Sequence, residues 1–200
     1  MIIDKNQEGF NQIMFLRIKA FTEYNIKSLI KDKLSFIWSI TIPTIMLLLS
    51  YKSIKEPYDL RFWWSYIILT SYLFGVGIYA LTLKELGVMR TIFSIKKDNV
   101  SFFFGNLFTQ IIYSFICLFI FNIIASVLIN FKFLYLMINS IKMIIICIPC
   151  AFLGYNLTLI NRVHANTVST IGNMIIFGLF ILMGIDSSLN LYNTLIFIAN

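Results

Sequence analysis

The sequence predicts an all-α integral membrane protein with five transmembrane helices and an amphipathic interfacial helix ahead of the first. Two observations carry that reading. The chain contains five long intervals with no charged residue, 34–51, 62–83, 99–131, 143–161 and 163–185. Its composition is 59% hydrophobic, with a mean hydropathy of +0.85. A bilayer core of roughly 30 Å needs about 20 mostly apolar residues in a helix, and a charge at its centre is costly. The sequence also lacks an acid pair, a metal-ligand cluster and a phosphate-binding loop.

The first 33 residues read as a cytoplasmic leader. At 100° per residue, Phe10, Ile13, Met14, Phe21 and Tyr24 fall on one side of a helix, with Gln12, Lys19 and Glu23 opposite. Arg17 lies on the apolar side, where its long stem lets it snorkel. A basic amphipathic helix leading into a span predicts a helix lying along the membrane plane. Met1–Phe10 contains Asp4 and Glu8 and leads into no apolar core, so no cleavable signal is expected.

Span 1 is expected near 34–51, with Pro43 inside it. The connection 52–61 holds Pro57 and mixed charges and reads as an outside turn. Span 2, near 62–83, opens on the interfacial aromatics Phe62, Trp63, Trp64 and Tyr66. The polar segment 84–99 follows. Gly87 is placed to break the helix after Glu85, and Val88, Met89, Ile92, Phe93 and Ile95 give a short apolar face among basic residues. That predicts a small amphipathic helix offering a docking knob to a cytoplasmic partner. Spans 3, 4 and 5 are expected near 102–130, 143–161 and 165–185. Residues 187–200 read as a re-entrant piece or the start of a further span.

With the N-terminus inside, eleven basic residues fall on inside faces. Five fall outside, namely Lys52, Lys55, Arg61, Lys132 and Lys142. This positive-inside bias makes the net charge of +7 mainly a topology signal. Nucleic-acid binding is not expected, because no soluble module carries a clustered basic face.

Several residues invite a sharp reading that a plainer one outweighs. Cys147-Ile148-Pro149-Cys150 sits among isoleucines without a second ligand pair, and reads as two buried thiols; Cys117 reads as a third. His164, the only histidine, has no carboxylate within a span to pair with, and reads as a solvated loop residue. Gln110, Ser114, Asn122 and Asn156 lie in apolar runs, where amides and hydroxyls usually bond a neighbouring helix. Gly75, Gly77, Gly172 and Gly178 permit close helix approach.

Taken in order, these features resemble a permease of the type-2 ABC exporter family. The resemblance rests on the segment LIKDKLSFIWSITIPTIMLLL with Pro43 near mid-span, on Glu85-Leu86-Gly87 followed by an apolar-basic stretch, on KKDNVSFFFGNLFTQIIYS opening a long span 3, and on the loop Asn161–Asn166 before span 5. It covers the whole chain through order and spacing rather than an invariant string. It implies a sixth span beyond residue 200 and location in the cell membrane of a bacterium. It also implies a second permease subunit, as a homo- or heterodimer, in contact with membrane lipid. ATP and Mg would be bound by a separate ABC ATPase subunit, since no Gly-Lys pair occurs here to build a phosphate loop. Glu85, Gly87, Met89 and Phe93 would couple to that ATPase. Tyr72, Phe74, Tyr79, Asn173 and Phe177, on spans 2 and 5, would border the path of an amphipathic or hydrophobic cargo such as a peptide, lipid or drug.

Other classes fit less well. An ion-coupled carrier keeps acids near the midplane, and none of the nine acids lies deep in a span. A membrane enzyme needs a nucleophile–base or acid cluster, and Glu85, Asp98 and His164 are scattered. The alternative function is a membrane-embedded immunity or sensor protein without transport activity.

Overall fold

The computed structural model describes residues 2–31, 33–52, 54–95, 98–160 and 164–184, the side chains of 2–11, 31, 33–35, 92, 93, 95, 176, 177 and 179–184 excepted. Every regular element among them is helical. In order these are α1 (Ile2–Lys31), α2 (Lys33–Ser50), a 3₁₀ turn (Pro57–Leu60), α3 (Arg61–Tyr72), a π-helical stretch (Leu73–Ile78), α4 (Tyr79–Glu85), α5 (Val88–Ile95), α6 (Asn99–Ile129), α7 (Phe133–Ile146), α8 (Ile148–Asn156), a 3₁₀ turn (Leu157–Leu159) and α9 (Ala165–Gly184). The chain forms two units, Met1–Ala165 and Asn166–Asn200. The second contributes α9, whose Asn173, Met174 and Ile175 are exposed and whose Gly172 is buried. The expected piece at 187–200 lies outside the described residues.

Three helical rods, Pro57–Glu85, Asn99–Ile129 and Phe133–Leu159, are long and apolar enough to cross a membrane. A shorter apolar helix covers Phe36–Ser50. The third rod departs from the expected span at 143–161. It begins at Phe133, and Lys142 is its tenth residue, with the side chain exposed. A charge-free interval stops at the first lysine. A helix does not, because an exposed lysine keeps its charge outward while its stem lies along apolar surface. Lys142 thus belongs to the rod rather than to the outside connection.

α6 is the central helix of the first unit and touches α1, α2, α3 and α7. Trp64, Ile67, Ile68, Tyr72, Leu118, Phe121 and Leu136 are all but fully buried between these rods. Polar ties specify the register within this apolar core. Asn122 accepts from Trp64 Nε1 at 2.8 Å and donates to Ser140 at 2.9 Å. Ser71 donates to Gln110 Oε1 at 2.9 Å. Gln110 and Asn122 therefore bond neighbouring helices, as expected of intramembrane amides. Ser114 is buried with no partner among the described residues, and Asn156 is exposed.

The π-helical stretch holds Gly75 and Gly77, where the wider turn and missing side chains let neighbours come close. A Cβ on Gly77 would stand 2.8 Å from the backbone of Gly154 on α8, and one on Gly75 would meet the Gln110 side chain. Both glycines thus serve close packing. Gly87 takes φ +74°, the left-handed conformation that ends α4 and turns the chain into α5.

α1 is helical as expected, but its partners place it differently from a helix lying across the spans. Arg17 meets Asp98, Phe21 meets Phe102 and Asn25 meets Asn106, a constant offset of 81 residues. α1 therefore runs parallel to the first turns of α6. α2 continues along the same helix, with Phe36 and Ser39 on Tyr113. A helix crossing α6 at a steep angle would touch it over one or two turns, not along this register. The physical reason is local. Gly105 leaves room for Phe21, whose Cβ would be 2.5 Å from an added side chain there, and Thr22 donates to the Gly105 carbonyl at 3.3 Å. Of the expected apolar face, Phe21 packs inward while Ile13 and Tyr24 are exposed.

Candidate functional site

The polar segment between the first two rods is built around two fastened ends. At the end of α4, Lys84 Nζ donates to the Thr158 carbonyl at 2.5 Å. Glu85 Oε1 accepts from the Ala165 N–H at 2.9 Å and lies 3.0 Å from His164 Nδ1. The expectation of a histidine without a carboxylate partner is corrected: Glu85, just beyond the apolar run, supplies one. His164 is 79% exposed along its side chain, so it remains solvated as expected.

At the other end, Asp98 precedes α6 and caps it. Its carboxylate accepts from the Ser101 N–H at 3.1 Å, from the Ser101 hydroxyl at 2.8 Å and from Arg17 Nη1 at 2.9 Å. Burial by itself would raise this carboxyl, but the Arg17 and Ser101 hydrogen bonds and the Arg17 charge outweigh it and hold Asp98 below the usual carboxylate range. The sign follows. A carboxyl that titrates lower in the folded chain contributes stability above the unfolded value of about 3.9, and that contribution is lost as pH falls from there through the folded value. The stability difference between the native chain and Asp98→Asn is therefore expected to be constant above about pH 5 and to shrink below it. Unfolding midpoints of both proteins over an acid series check this; parallel curves throughout would refute it.

Between the fastened ends, α5 is short and two-sided. Met89 is only 6% exposed and packs with Ala80 and Phe102 in a cluster that also takes in Phe21, Leu83 and Tyr155. Its expected place on the docking knob is thus corrected, because the side chain faces the bundle. Leu86, Val88, Arg90, Thr91 and Ser94 are exposed on this turn and helix. The Phe93 side chain lies outside the described residues.

A groove of about 590 Å³ runs beside this segment, lined by Arg17, Ala20, Phe21, Tyr24, Asn25, Tyr79, Leu83, Val88, Asp98 and Phe102. Asn25, at 7% exposure, donates to Asn106 and faces the Tyr79 hydroxyl at 3.4 Å. Tyr79 thus borders this groove. Tyr72 is fully buried, its hydroxyl donating to the Ile144 carbonyl at 3.2 Å, and Phe74 is half-buried. Asn173 is exposed on α9, and the Phe177 side chain lies outside the described residues.

The sequence reading missed Asn25, Asn106 and the Arg17–Asp98 pair. Arg17 on the apolar face was the available signal, since a cation there needs either snorkelling or a partner. Cys117 and Cys147 are buried free thiols and Cys150 is half-buried. Among the described residues no three His, Cys, Asp or Glu side chains gather as a metal site. Comparisons with models of known families, with curated proteins and with solved structures return no match to this chain.

Proposed function

We propose that this chain is the transmembrane permease subunit of an ATP-driven exporter of the type-2 ABC class. In this reading five spans cross the cell membrane, with the N-terminus and α5 on the cytoplasmic side. A second permease subunit completes the path, and a separate ATPase subunit binds ATP and Mg.

The observation that supports the reading best is α5. It follows the left-handed turn at Gly87, is seated on the bundle through Met89, and leaves Leu86 and Arg90 exposed on either side of that seat. A connector has no need to hold an apolar side chain such as Leu86, 70% exposed, out beside a seated helix, whereas a lever between an ATPase and the spans needs one face held and one free. Glu85 and Lys84 fasten the adjoining end of α4, so a push on α5 is passed to the rods instead of being absorbed by fraying.

The reading is tested by purifying the chain in mild detergent from its native host. An ATP-hydrolysing subunit is expected to co-elute, and the Leu86→Asp, Val88→Asp double variant is expected to lose it while still inserting in the membrane, since a charge forced into an apolar contact has no partner there. Recovery of the native chain alone, or equal recovery of the ATPase with the double variant, would overturn the proposal.

A further inference from the structure

We propose that the groove between α1, α4, α5 and the start of α6 binds an anionic membrane lipid, its head on Arg17 and one acyl chain along the aromatic wall toward Tyr79. The proposal does not rest on the exporter reading, only on the groove and its charges.

The balance of hydrogen bonds at the rim decides the sign of the head. Asp98 accepts three hydrogen bonds, from Arg17, from the Ser101 hydroxyl and from the Ser101 N–H, which occupy all but one of its four lone-pair sites. Arg17 is less fully engaged. Its guanidinium carries five N–H donors, and among the described residues its only partner is Asp98, reached through Nη1. The side chain is 31% exposed and lines the groove. A planar cation with donors to spare matches a phosphate, to which it can bind in bidentate fashion. A cationic head would find a single open acceptor site on the carboxylate, against the several open donors of Arg17.

The walls decide the rest of the ligand. Beyond Arg17 the lining is Ala20, Phe21, Tyr24, Leu83 and Phe102, with the Asn25 amide and Tyr79 at the far end. About 590 Å³ of mainly apolar space lies within the usual range for a small-molecule site, roughly 300–1,000 Å³. Depth agrees with this orientation. Arg17 lies beside the first residue before α6, and Asn25 lies eight residues further along α1, roughly 12 Å at 1.5 Å per residue. With α6 spanning the bilayer, the cation stands at headgroup level and the aromatic wall leads inward. A lipid seated here would touch Val88 of α5, tying lipid occupancy to that helix.

The test uses the full chain purified in neutral detergent, with bound ligand counted by native mass spectrometry. The probes are lysophosphatidylglycerol, a monoacylglycerol of the same chain length, which lacks the phosphate, and glycerol 3-phosphate. Lysophosphatidylglycerol is expected to bind at least about tenfold more tightly than either of the others, the worth of one charge-assisted pair. Equal binding of the monoacylglycerol would overturn the anionic head, and equal binding of glycerol phosphate would overturn the role of the groove. Arg17→Gln and the groove-filling Ala20→Trp are each expected to weaken the lipid about tenfold. Asp98→Asn separates a ligand site from a structural latch. It breaks the ion pair but frees Arg17, so binding should hold or tighten; a loss matching that of Arg17→Gln would show the pair to be structural and sink the proposal.

Discussion

Gly77→Ala is expected to lower stability by about 2–3 kcal/mol, while Gly154→Ala, on the other side of the same contact, is expected to cost far less. A Cβ on Gly77 would lie 2.8 Å from the carbonyl carbon and oxygen of Gly154 and 2.9 Å from its Cα. These are backbone atoms with no rotamer to move aside, so α8 and the π-helical stretch would have to separate. The core around Tyr72 and Val76, both fully buried, would open with them. A Cβ on Gly154 would instead meet Gly77 Cα at 3.5 Å and the Tyr72 carbonyl at 3.7 Å, ordinary van der Waals distances. For a chain of this size 1 kcal/mol moves the thermal midpoint by about 2–4 °C, so the first variant should drop by roughly 5–10 °C in detergent and the second by much less. Equal midpoints for the two variants would refute the assigned packing.

Asn122→Leu is expected to cost about 2 kcal/mol, most of which a second substitution at Trp64 should remove. Asn122 is fully buried, and its Oδ1 is the acceptor for the Trp64 indole N–H at 2.8 Å. Ser140 suffers less when the amide goes, because its hydroxyl still donates to the Met137 carbonyl at 3.0 Å. The cost therefore lies in a donor left unpaired where no water reaches it, and not in the mere absence of one bond. In membrane proteins single interhelical hydrogen bonds average only about 0.6 kcal/mol, because the separated helices also find partners. The larger figure expected here comes from the rigid indole, which cannot turn to another acceptor. Trp64→Phe in the Asn122→Leu background removes the orphaned donor, so the double variant should be more stable than the two single costs added together. Simple additivity, measured by denaturant unfolding of all four proteins, would rule out the pairing.

The all-helical class and most of the apolar rods could be read from residue order alone, since they follow from local physics. Apolar runs between charges mark rods that a bilayer can hold, a glycine after Glu85 marks a left-handed stop, and an amide inside an apolar run marks a demand for a partner. The partners were a different matter. That Gln110 answers Ser71, that Asn122 answers Trp64, and that Gly77 answers Gly154 depend on which rods lie side by side. Neither does a linear reading show that Arg17 and Asp98, 81 residues apart, form one pair, or that Asn25 and Asn106 follow them at the same offset. The parallel seating of α1 on α6 arises from the small residue Gly105 accepting Phe21, a shape match between distant segments. Lys142 marks the same boundary from the other side. Its charge closed an interval in the sequence, yet the helix passed through it, because only the packing of α7 showed that this position faces outward. Local chemistry sets what each helix is, and the complementarity of surfaces far apart in the chain sets where each one sits and which side chains can act together.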